Sequence, residues 1–185
     1  MKVGFIGLGN VGGKLAGSLL RNNFDLTVRD LDKNLTQSFK DLGAKVVNSA
    51  KELAEQVDLI ITCLPSPKIC AEVMEAEDGV INGLSENKIW LEMSTTDEAE
   101  IKRISKKIIA KKAIPLDGPV SGGCHRDTTG NIFSSLCCFC MVSNHDSLSL
   151  LTPSLNASLV LHNTSRGNKF LSSNVLRNKY FSHTP

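Results

Sequence analysis

No stretch of this chain stays apolar for the roughly 18 residues that a bilayer-spanning helix requires, so no membrane span is expected. No secretory leader is expected either. Lys2 leads straight into a short apolar segment and a glycine turn, without a long apolar core or a small-residue cleavage site. Charge imbalance is small: the net charge of +2 gives no reason to expect nucleic acid as a partner. Metal-ligand spacing is missing as well. Cys137-Cys138-Phe139-Cys140 does not have the separation zinc needs, and Cys63, Cys70 and Cys124 stand alone. The six cysteines are therefore read as reduced thiols of a cytoplasmic protein or an organelle interior. With 185 residues and 41% hydrophobic content, the chain has enough for one core and a tail.

What is present begins at the N-terminus. Val3-Gly4-Phe5-Ile6 is an apolar strand running into Gly7-Leu8-Gly9-Asn10-Val11-Gly12, a Gly-x-Gly-x-x-Gly turn. Each glycine has a distinct task. Gly7 permits the tight strand-to-helix turn, Gly9 lets the backbone approach a pyrophosphate, and Gly12 lets the next helix lie close on the strand. A helix expected from about Asn10 to Arg21 aims its free N–H groups and positive dipole end at that phosphate. A second strand, Phe24 to Asp30, ends on a carboxylate about 20 residues past the glycines. An acid there accepts hydrogen bonds from the adenosine ribose hydroxyls and repels a 2′-phosphate, which favours NAD as the cofactor. Arg29 and Lys33 flank Asp30 and keep NADP open. A plain turn at Asp30-Leu31-Asp32-Lys33 is the competing reading of the same residues.

Further along, strand and helix patterns alternate. A helix near Lys33 to Leu42 is closed by Gly43. A strand at Ala44 to Val47 precedes a helix opened by Asn48 or Ser49, with Glu52 in its first turn. Val57 to Leu64 is nearly all apolar, as a strand buried in a parallel sheet must be. Lys88 to Met93 is the next strand. Thr95 or Thr96 then caps a helix from Asp97 to Lys111 with Ile101, Ile104, Ile108 and Ile109 on one face. Ala113 to Asp117 forms a last strand, entering the loop Gly118-Pro119-Val120-Ser121-Gly122-Gly123. The repeated unit predicts an α/β fold: a doubly wound parallel sheet of Rossmann type, with ligands at the carboxyl ends of its strands.

Near Ile132 the composition changes. Residues 133–185 hold a single acidic residue, Asp146, and a single glycine, Gly167, amid Ser, Asn and Leu. No helical face or cap pattern is legible there. The expected organisation is a dinucleotide-binding domain over 1–132 and a divergent tail over 133–185, as a frameshifted or alternatively spliced end would produce.

Four motifs in order, namely the Gly7 turn, Cys63-Leu64-Pro65, Met93-Ser94-Thr95-Thr96 and Gly118-Pro119-Val120-Ser121-Gly122-Gly123, give the chain its resemblance to the β-hydroxyacid dehydrogenases. These include the 3-hydroxyisobutyrate dehydrogenase, tartronate semialdehyde reductase and 6-phosphogluconate dehydrogenase relatives. The resemblance implies hydride transfer between NAD or NADP and the hydroxyl carbon of a small hydroxyacid. It also implies an all-helical second domain that completes the site and builds a homo-oligomer. It places Leu64 and Pro65 against the cofactor, Ser94 and Thr95 near the nicotinamide ribose, and Ser121, Gly122 and Gly123 on the substrate carboxylate. The residues alone also fit a proline-terminated strand at Pro65, a helix cap at Ser94 or Thr95, and a glycine turn after Ser121 whose backbone donors suit an anion. His125 and Arg126 are read as a solvated loop.

The chain also departs from that pattern. The family's catalytic Lys is followed within a turn by an Asn. Here Lys169 and Asn174 are about five positions apart, on different helical faces, so no catalytic residue is assigned. The helical second domain is not legible. Two functions follow: the NAD(P)-binding domain of an oxidoreductase, incomplete for catalysis, or a non-catalytic nucleotide-binding or interaction protein on the same fold.

Overall fold

The computed structural model describes residues 1–94 and 97–118, together with the backbone of the short strands at 120–121 and 133–134. Six strands form one sheet: β1 (Lys2–Ile6), β2 (Asp25–Arg29), β3 (Lys45–Val46), β4 (Leu59–Thr62), β5 (Ile89–Glu92) and β6 (Ile114–Asp117). Their order is β3-β2-β1-β4-β5-β6 and every pairing is parallel. The chain starts at the centre, winds outward through β2 and β3, and then returns to the far side of β1 for β4. The switch point therefore lies between β1 and β4, where a crevice opens at the strand carboxyl ends. Beyond the sheet, β7 (Val120–Ser121) pairs antiparallel with β8 (Phe133–Ser134).

Helices cover both faces, and the strands are apolar on both sides as a result. Helix α1 (Gly12–Arg21) and α2 (Lys33–Asp41) lie over Val3, Phe5, Leu26, Val28, Ile61 and Leu91. On the opposite face, α3 (Ala50–Gln56), α4 (Pro67–Glu75), α5 (Val80–Gly83) and α6 (Glu98–Ala110) enclose Ile6, Ile60 and Trp90. Full burial of a side chain such as Leu19 or Leu53 stabilises the fold by about 1.5–3 kcal/mol. Among the described residues no helix is long and apolar enough to cross a membrane.

Local signals set most helix ends. Asp32 caps α2 by accepting from Asn34 N (2.8 Å), and Gly43 follows that helix with φ +99° and its N–H on Lys40 O. Both candidates for the start of α3 take part. Ser49 accepts from Glu52 N (3.0 Å), while the Glu52 carboxylate reaches back to Asn48 N (3.2 Å). Lys88 Nζ closes the other end of α3 on the carbonyls of Ala54 and Glu55.

Several expectations need correction. Helix α1 begins at Gly12 rather than near Asn10, because Gly9 to Val11 are used in the turn. Helix α6 is capped by Asp97, whose carboxylate accepts from Ala99 N, and not by Thr95 or Thr96. Its inward stripe is Ile101, Ile104, Ser105 and Ile108, whereas Ile109 is 44% exposed. The fourth strand spans Leu59–Thr62, shorter than Val57 to Leu64, because β1 offers partners only that far. The region between Leu64 and Lys88, where no element was read, holds α4 and α5. The signal was there: Ser66 accepts from Ile69 N and Pro67 opens the helix, a serine cap with proline in the first turn.

Candidate functional site

The crevice is floored by the glycine turn, and the three glycines differ in what constrains them. Gly7 has φ +96°, and a Cβ there would lie 2.2 Å from Cys63 O, so the turn sits directly on the end of β4. At Gly12 a Cβ would lie 1.9 Å from Gly7 O and 3.2 Å from the Phe5 ring, which fixes how closely α1 rests on β1. Gly9 is exposed, and a Cβ built on it meets nothing within 4 Å. Fold geometry makes no demand for glycine at that position, and the open space above it is where a phosphate would lie.

Helix α1 begins at this space. Val11 caps it without a side-chain hydrogen bond, and its first turn carries no acid. The helices α2, α3, α4 and α6 all have a side-chain cap. The Gly13 and Lys14 amides donate to Gly9 O and Val11 O (2.8 and 3.1 Å), so the donors left to meet an anion are those of the turn that leads into α1, at Asn10, Val11 and Gly12. These residues fit the diphosphate of a dinucleotide.

Asp30, half-buried just past β2, joins the turn directly. Its Oδ2 accepts from Leu8 N (2.6 Å) and its Oδ1 from Asp32 N (2.9 Å). Two carboxylate lone-pair positions remain for ribose hydroxyls. The Leu8 amide is thus committed to Asp30 and its side chain is buried beneath the turn, while Asn10 is exposed and Val11 half-buried at its rim.

Across the switch point, Leu64 and Pro65 follow β4, Leu64 half-buried and Pro65 exposed. Ser94 follows β5 and is buried. Its Oγ accepts from Leu64 N (2.7 Å), so it bridges the two loops rather than capping α6. Thr95, Gly122 and Gly123 lie outside the described residues, as do His125, Arg126, Lys169 and Asn174. Ser121 is described only as backbone in β7. The structure therefore brings together Gly7 to Gly12, Asp30, Leu64, Pro65 and Ser94 at one end of the sheet.

Sequence reasoning missed Glu92. It ends β5 fully buried and accepts from Thr62 Oγ1 (2.7 Å), Cys70 Sγ (3.0 Å) and Ser94 N (2.6 Å). A lone acid closing an apolar strand, Ile89-Trp90-Leu91-Glu92, was the available signal. Burial, and secondarily the Glu92 charge, pushes the Cys63 thiol up to about 11 and the Cys70 thiol far above the ordinary thiol range. Desolvation also raises the Asp117 carboxyl at the end of β6, opposite Glu92 in register. No cluster of three or more His, Cys, Asp or Glu suited to a metal occurs among the described residues.

Comparison with known proteins agrees with this geometry. The family model for the NAD binding domain of 6-phosphogluconate dehydrogenase matches residues 2–137. Mouse mitochondrial 3-hydroxyisobutyrate dehydrogenase is 35% identical over 130 residues, which is 70% of this chain and 39% of that protein. A probable mitochondrial 3-hydroxyisobutyrate dehydrogenase of Dictyostelium discoideum is 39% identical over 123 residues, covering 65% and 38% of the two chains. The chain thus spans about two-fifths of the length of these curated relatives. Among solved structures, 3-hydroxyisobutyrate dehydrogenase from Salmonella typhimurium superposes with a TM-score of 0.65 at 28% identity, over 71% of this chain and 46% of that one. The family-model match over residues 2–137, on a sheet whose strand order reverses beside a glycine turn, places this chain in the β-hydroxyacid dehydrogenase family, through its NAD(P)-binding domain.

Proposed function

We propose that this chain binds NAD across the β1–β4 switch point, as the cofactor-binding module of an oxidoreductase acting on the hydroxyl of a small β-hydroxyacid. The observation that carries the reading is the open space over Gly9, at the uncapped start of α1 and beside Asp30. The chain's own groups divide the work. The amides of Asn10, Val11 and Gly12, where the turn enters α1, hold the diphosphate, Asp30 accepts from the adenosine ribose, and Leu64, Pro65, Ser94 and Thr95 line the nicotinamide half. Bound NAD supplies the hydride acceptor. Ser121, Gly122 and Gly123 hold the substrate carboxylate, for which relatives named 3-hydroxyisobutyrate dehydrogenase suggest the acid to try first. Asp30 favours NAD over NADP because a second anion beside it is repelled.

In this reading 1–132 is the cofactor unit and 133–185 a separate tail. Catalysis is incomplete because no lysine in the family's pattern stands ready to move the hydroxyl proton. A homo-oligomer and a location in the cytoplasm or an organelle interior accompany it. The compositional break after Ile132 favours a second reading, a non-catalytic nucleotide-binding or interaction protein on this fold.

Titrating the full chain with NAD and NADP, followed by the emission of its single tryptophan, Trp90, tests the binding. Saturation by NAD at a Kd near 10 μM, about tenfold tighter than NADP, is expected. Binding of neither dinucleotide refutes the proposal. Turnover of 3-hydroxyisobutyrate that disappears in Ser121→Ala favours a complete enzyme over both readings.

A further inference from the structure

Glu92 is unusual in having only neutral partners. Thr62 Oγ1 receives a hydrogen bond from Trp90 Nε1 (2.8 Å), so its own proton is directed to Glu92 Oε2 at 2.7 Å. The Cys70 thiol, contributed by α4, donates to the same oxygen at 3.0 Å. Glu92 Oε1 accepts the Ser94 amide, and Ser94 Oγ in turn accepts the Leu64 amide. One carboxylate thus joins the end of β4, the body of α4, and both loops that follow β4 and β5. Burying a carboxylate is costly unless donors match it, and here each oxygen of Glu92 has at least one. What a fully satisfied buried network adds is a single fixed geometry.

We infer that Glu92 is a positioning residue for the nicotinamide half of the cofactor site. It holds Ser94, and through Ser94 the Leu64 amide, so that the two loops present one continuous surface. The inference rests on the dinucleotide reading above. Sheet order makes it specific. The turn after β1 has β2, with Asp30, on one side and β4 and β5, with the Glu92 network, on the other. A dinucleotide whose diphosphate lies over the turn therefore has its adenosine half clear of Glu92 and its nicotinamide half over the loops that Glu92 holds.

Glu92→Gln keeps the shape but replaces one acceptor oxygen by a donor, which cannot face Ser94 N and, on the other side, forces the Thr62 and Cys70 protons away from residue 92. The full chain and this variant are titrated with NAD and with ADP, which carries the adenosine and both phosphates only. The expected result is a tenfold or greater rise in Kd for NAD with the ADP value within twofold of wild type, and a shift in Trp90 emission. Equal weakening of both ligands, as general loosening would give, or no weakening of either, overturns the inference. If Glu92→Gln does not fold, the isosteric Thr62→Val, which removes one donor to Glu92 and the Trp90 acceptor, must show the same asymmetry at fivefold or more. Its absence overturns the inference equally. Failure of the wild-type chain to bind ADP and NAD at all refutes the dinucleotide reading instead, so the two failures are distinguishable.

Discussion

Alanine at Gly9 and at Gly12 should separate binding from folding within four residues of chain. At Gly12 the new methyl falls 1.9 Å from Gly7 O and 3.2 Å from the Phe5 ring, and neither neighbour is the free end of a flexible side chain. Helix α1 must lift off β1, and overpacking of this kind costs about 3 kcal/mol. At roughly 4 °C per kcal/mol for a domain of this size, the melting temperature falls by about 12 °C. At Gly9 the methyl meets nothing within 4 Å and the backbone is not left-handed, so stability changes by less than about 0.5 kcal/mol. The same methyl occupies the space assigned to the diphosphate. Losing two charge-assisted hydrogen bonds there, at about 1.5 kcal/mol each, weakens NAD more than 100-fold. Thermal melts of both variants, paired with NAD titrations at a temperature where each is folded, read out both effects. A Gly9→Ala protein that melts like Gly12→Ala, or that binds NAD within threefold of wild type, refutes the reasoning.

Three other outcomes follow from the geometry. Asp30→Ala removes the acceptor for the Leu8 and Asp32 amides and the charge beside the ribose site, so the NAD-to-NADP affinity ratio should fall by about tenfold; an unchanged ratio in paired titrations would remove Asp30 from cofactor selection. Glu75 on α4 is held at about 2, first by the two-pronged Arg103 contact (2.7 and 2.6 Å) and then by Lys107, both from α6. Because its folded value lies below the ordinary 4.5, its contribution is complete above that value and is lost as pH falls toward 2. The stability difference between wild type and Glu75→Gln, about 1 kcal/mol at neutral pH for a pair at the surface, should therefore vanish in acid denaturation series. Cys63 and Cys70, both held protonated by burial, should resist iodoacetamide at mildly alkaline pH until the chain unfolds; early alkylation of either, seen by peptide mass mapping, would contradict the packing at the end of β4.

The glycine turn and its strand were legible because part of the constraint is local: Gly7 has φ +96° and Gly12 is forced by Gly7 O five residues back, although Gly7 is also held against Cys63 O at the end of β4. Asp30 could be placed by counting, since β2 must return beside β1. Strand lengths were overread for the opposite reason. Val57 belongs to the core and half-buried Cys63 packs against it without either belonging to the ladder, and only the partner strand decides where pairing stops. A proline after a strand suggests an end of structure, as at Pro65, yet Pro67 opens α4. Glu92 escaped notice because its donors come from 30 and 22 residues upstream, Thr62 and Cys70, and no local pattern announces a charge that long-range hydrogen bonds will bury. On the residues alone Ser94 also fits a helix cap, as serine before a helix commonly does. Its real partner, the Leu64 amide, lies 30 residues away.

The position of β1 has a wider consequence. Like β4, it is bordered by a strand on each side and roofed on both faces, so its amides should be among the slowest of the described residues to exchange with solvent. The glycine turn, proposed above to hold the diphosphate, hangs from the end of that strand. Whatever lodges there is measured from the stillest part of the molecule, and outer loops can drift or diverge without shifting the datum to which they are referred.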